Sequence, residues 1–99
     1  MPDDEQIVQR VESILREMGW DENDLARGIY RRLGYKTPKG VSHWFNREPR
    51  QIPTRGVLAI ALYLGVDSAY ILTEHDDLAR TADPQGRYIL ATKPRHGAA

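Results

Sequence analysis

The stretch GYKTPKGVSHWFNREP, Gly34 to Pro49, decides how the rest of the chain is read. Thr37 and Pro38 look like a helix start. A threonine hydroxyl suits the N-cap, and a proline in the first helical position loses nothing, because its missing N–H would have had no partner there. Val41, Trp44 and Phe45 then recur at helical spacing on one side. Lys36, Lys39, Ser42, His43, Asn46 and Arg47 surround them. Such a helix must bury its narrow apolar stripe against a neighbour, and its polar, basic side is left for another partner.

The neighbours are legible on both sides. Upstream, Ile7, Val8, Val11, Ile14, Leu15 and Met18 keep a helical period that Asp3 or Asp4 can cap and Gly19 ends. Trp20 folds back onto the core. Asp21, with Asp24 three residues on, resembles a capping box. It opens a second helix carrying Leu25, Ala26, Ile29, Tyr30 and Leu33, with Gly34 where a left-handed terminator belongs. Gly28, inside that helix, is read as a close helix crossing or a small irregularity. Downstream, Pro49 and Pro53 stiffen a loop. Thr54 is read as the cap of a fourth helix with Val57, Leu58, Ile60, Ala61 and Leu64, ended by Gly65. Asp67 caps a short fifth helix with Tyr70, Ile71 and Leu72.

The expected architecture is all-α: one five-helix domain over residues 4–73, followed by a tail over 74–99. Within the tail, 82–86 reads as a turn, and 87–92 has strand-like composition.

With 99 residues the chain has room for one core. It has no cysteine, which removes disulfides, thiol nucleophiles and Cys-type zinc sites and fits a reducing cytoplasm. No apolar run is long enough to span a bilayer, and Pro2-Asp3-Asp4-Glu5 has the wrong charge for a signal peptide, so a cytoplasmic protein is expected.

The net charge is zero, but it is unevenly spread. Met1 to Asp24 carries −6. Leu25 to Arg55 has eight basic residues against the single acid Glu48, a local +7, and the remainder carries −1. An anionic partner feels that local field rather than the total.

Two helices joined by a tight glycine-containing turn make a helix-turn-helix unit. Asp24-Leu25-Ala26, then Gly40-Val41-Ser42-His43-Trp44-Phe45-Asn46-Arg47, then Ile52-Pro53-Thr54 with Leu58 to Leu72 resemble, in that order, the second to fifth helices of the lambda-repressor-like (phage repressor, Cro type) family. The resemblance covers about two thirds of the chain. It implies sequence-specific binding of double-stranded DNA by a homodimer on a two-fold operator, usually to repress transcription, in a phage or prophage setting.

By that resemblance the base-facing positions are Pro38, Lys39, Ser42 and His43. Lys39 suits guanine O6 and N7, and Ser42 and His43 can donate or accept. Phosphate contacts are expected from Asn23, Arg27, Arg31, Arg32, Lys36, Thr37, Asn46, Arg47, Arg50 and Arg55. Dimerisation is expected through the fifth helix, at Tyr70, Ile71 and Leu72, or through the tail, at Tyr88, Ile89 and Leu90.

The chain departs from the family twice. It is about five residues longer between Leu25 and Val41, roughly one turn plus one residue, which implies a second helix extended by a turn and carrying Arg31 and Arg32. It also begins that helix with Asp21-Glu22-Asn23, where the family usually has a neutral polar residue to meet a phosphate.

No glycine-rich phosphate loop, nucleophile elbow or zinc-protease helix occurs, so no enzymatic activity is expected. His43 has no second ligand at metal spacing, and His75-Asp76-Asp77 reads as a solvated helix exit. No cofactor, metal, small-molecule ligand or membrane partner is expected. Two other readings of the same residues are a helical protein-interaction module, such as an antitoxin or adaptor, and the amino-terminal DNA-binding part of a longer repressor.

Overall fold

Local signals start and stop most of the helices. In the computed structural model, which describes residues 3–72, α1 (Asp4–Met18) begins at Asp3. Its carboxylate accepts from the Gln6 N–H while the Gln6 side chain accepts from the Asp3 N–H. Gly19, at φ 74°, ends α1 by letting the Trp20 N–H reach back to the Leu15 carbonyl, a 6→1 bond that a left-handed residue permits. α2 (Glu22–Ile29) opens on the reciprocal box of Asp21 and Asp24. α3 (Lys39–Asn46), α4 (Thr54–Leu64) and α5 (Ser68–Leu72) follow, and no strand lies among the described residues.

Three boundaries differ from the sequence reading. α2 is not extended by an α-helical turn. It ends at Ile29, and Tyr30 to Gly34 form a tighter turn in which the Leu33 and Gly34 N–H groups bond three residues back, to Tyr30 and Arg31. Such i→i+3 bonds commonly finish a helix because they satisfy its last carbonyls. Gly34, at φ 84°, then lets the Tyr35 N–H return to the Tyr30 carbonyl.

Thr37 and Thr54 are not the side-chain caps they resemble. Pro38 already has helical dihedrals, and its carbonyl accepts from the Val41 and Ser42 N–H groups, with no side-chain cap. Pro53, at ψ 157°, is the boundary residue of α4, and Thr54 is inside the helix.

The apolar faces meet in one core. α2 packs on α3 and α4, α4 packs on α5, and α1 packs on α5. Val8, Val11, Ile14, Leu25, Ile29, Val41, Val57, Ile60, Leu64 and Ile71 are fully enclosed, and Trp20 is buried. Gly28 marks a close approach of α2 and α4: a methyl group there would stand 2.4 Å from the Tyr63 ring. Leu58 does not turn inward as the pattern suggested. It is 47 % exposed, and Leu62, one turn on, is 80 % exposed.

No described helix is long and apolar enough to cross a membrane. Residues 73–99, including the expected dimerisation positions Tyr88, Ile89 and Leu90, lie outside the described residues.

Candidate nucleic-acid interface

An isolated helix as short as α3 is unstable in water, since the marginal length is about 12–15 residues. Tertiary contacts must therefore hold it. Val41, Trp44 and Phe45 are all buried, Trp44 at 8 % exposure. Fully burying a large apolar side chain is worth about 1.5–3 kcal/mol, so three such anchors outweigh the weakness of the helix itself.

Trp44 is held from two sides. Tyr35 meets it edge-on, with ring centroids 6.2 Å apart and planes at 67°. On another side, a methyl group at Gly56 would stand 2.6 Å from Trp44 Cη2 and 3.0 Å from Ile52 Cγ2. Tyr35 also covers the first turn of α3 so closely that a methyl group at Gly40 would stand 2.6 Å from its Cγ. These contacts fix the rotation of α3 about its own axis.

That rotation sets what faces outward. Lys39, Ser42, His43 and Asn46 follow the i, i+3, i+4, i+7 spacing of a single helix face, on the side away from Trp44. Lys39 and Asn46 are exposed, and Ser42 and His43 are half-buried. Pro38, half-buried, and exposed Lys36 and Thr37 stand at the amino end, and exposed Arg47 at the carboxyl end. No acidic residue lies in the first turn of α3, so the positive end of its dipole is not offset within the helix.

The acidic start of α2 is partly internalised. Asp24 is only 2 % exposed, receives the Asp21 N–H at 3.0 Å and pairs with Arg27 at 2.8 Å. Asn23 is exposed beside it, and Glu22 is half-buried.

The remaining cations do not all join α3. Arg27 is engaged with Asp24. Arg31 donates from Nε to the Tyr30 hydroxyl at 3.0 Å, and its guanidinium lies 5.5 Å from that ring's centre. Arg32 sits over the Tyr63 ring at 5.6 Å, and Arg55 Nη2 donates to the Leu33 carbonyl at 2.7 Å. Arg32 and Arg55 thus border a groove on α4 rather than α3.

Arg50 is gripped by α1. Its Nε donates to Glu5 Oε1 at 3.1 Å, its Nη2 to the other Glu5 oxygen, and its Nη1 to Glu12 Oε2 at 2.9 Å. The hydrogen bond from Arg50 holds the Glu5 carboxyl below its ordinary range. Sequence patterning gives no sign of this clasp, because its partners lie 45 and 38 positions away.

Of the expected α5 dimer positions, Ile71 is fully buried in its own core, which corrects that assignment. Tyr70 and Leu72 are half-buried against the same core. No group of three or more His, Cys, Asp or Glu side chains suited to a metal occurs among the described residues. No protein-family model, curated protein or solved structure matches the chain.

Proposed function

We propose that the protein is a sequence-specific double-stranded DNA-binding regulator of the lambda-repressor-like helix-turn-helix type. α3 enters the major groove, which admits one helix. The observation that carries this reading is the polar stripe Lys39–Ser42–His43–Asn46, held outward by three buried anchors on the opposite side of the same helix.

Lys39 donates to guanine O6 or N7. Ser42 and His43 read neighbouring base edges, and Pro38 packs against a thymine methyl or the sugar. Lys36, Thr37, Asn46 and Arg47 meet phosphates at the two ends of the helix, and Asn23 meets one at the start of α2. Arg27 and Arg50 are engaged by carboxylates of their own chain and contribute to positioning. As a homodimer, the protein sets its two α3 helices about 34 Å apart, one turn of duplex, on a two-fold operator, and acts as a repressor of phage type.

Selection of bound sequences from a random duplex pool tests the reading. Enrichment of a two-fold consensus supports it. Equal, weak retention of every duplex favours the interaction-module reading instead.

A further inference from the structure

We propose that the outward face of α4 is a docking site for an acidic amphipathic helix of another protein. This goes beyond DNA binding and does not depend on it. Leu58 and Leu62 are one helical turn apart and 47 % and 80 % exposed, while Val57, Ile60, Ala61 and Leu64 of the same helix face the core. With Leu33 and Ala59 they form an apolar groove of about 310 Å³, edged by Arg32 and Arg55.

Both arginines are held in place by the fold. Arg55 donates to the Leu33 carbonyl at 2.7 Å, and Arg32 stacks on Tyr63 at 5.6 Å. No acidic residue is among the six that line the groove.

The charge selects the occupant. A second copy docking face to face would bring four guanidinium groups together, and like charges across an interface are costly. A nucleic-acid backbone would satisfy the arginines but gain nothing from the two leucines. A helix with leucines at i and i+4 and glutamates on either side satisfies both features. Its apolar ridge fills the groove, and its carboxylates meet the fixed forks of Arg32 and Arg55.

The test uses the full chain and two labelled synthetic helices, identical except that one carries glutamate and the other lysine beside leucines at i, i+4 spacing. Fluorescence anisotropy should show the glutamate helix binding at least roughly ten-fold more tightly than the lysine helix. Leu62→Gln and Arg55→Gln should each weaken it by about ten-fold, and Leu62→Gln should leave duplex binding unchanged.

Failure of both helices to bind, or equal binding of both, overturns the proposal. So does a concentration-dependent mass that Leu62→Gln abolishes, which would assign the face to a second copy. Leu62→Gln should also leave the melting temperature nearly unchanged, as for an exposed position. A large fall would mean that the chain's own residues cover this face, and would equally overturn the proposal.

Discussion

Replacing Arg50 by methionine separates two roles that one cation can play. The substitution keeps most of the aliphatic stem and removes the guanidinium, which makes two contacts to Glu5 and one to Glu12. The Arg50 side chain is 19 % exposed, against 45 % and 30 % for its partners, so the network is partly open to solvent. Exposed ion pairs contribute about 0.2–1 kcal/mol each, and screening by salt lowers that further. The expected loss on Arg50→Met is therefore about 1 kcal/mol at low salt. In a domain of this size that is a fall in melting temperature of roughly 4–8 °C, shrinking as salt is added.

Thermal denaturation followed by circular dichroism measures that fall. Duplex affinity across a salt series measures the other role, because each phosphate contact contributes about 0.9 to the slope of log K against log salt. A clasp leaves the slope unchanged. A slope reduced by about 0.9, with an unaltered melting temperature, would instead make Arg50 a phosphate contact.

Asp24→Ala removes the N3 carboxylate of the α2 capping box together with its 2.8 Å ion pair to Arg27. Loss of that cap should cost about 0.5–2 kcal/mol in denaturant unfolding, because the Arg27 charge left behind is on a side chain 29 % exposed and stays hydrated. Gly56→Ala drives a methyl group toward Trp44 Cη2 and should cost about 1–3 kcal/mol by overpacking, with a shift in tryptophan emission. Acid should weaken the α1 clasp in a defined direction. The Glu5 carboxyl is lowered from its ordinary value of 4.5, chiefly by the hydrogen bond from Arg50. Its contribution to stability is therefore fully present above that value and is lost as the pH falls through the lower folded-state value. Unfolding scans from pH 6 downward should register this loss, and Arg50→Met should remove that component.

The sequence made some features legible and hid others for physical reasons. Gly19, the Asp21–Asp24 box and Gly65 act through neighbours a few residues away, so their pattern was readable. The same holds for the inward set Val41, Trp44 and Phe45, because one helical period separates buried from exposed positions. Thr37 and Thr54 misled because a threonine beside a proline fits the boundary in either order. Leu58 misled because α4 is apolar nearly all round, leaving the period little contrast. The end of α2 turned on a switch from four-residue to three-residue bonds after Ile29, which hydrophobic spacing does not encode. The placement of Tyr35 across Gly40 and the Arg50 clasp are tertiary contacts and leave no local trace.

The central claim is that the Lys39 side of α3 reads bases. Its most direct test is the affinity of wild type and Lys39→Ala for the selected duplex and for each of its single-base variants. Lys39→Ala should lose discrimination at one base position per half-site by about 1–3 kcal/mol, with discrimination elsewhere intact. A uniform loss at every position, or unchanged discrimination at all of them, would contradict it.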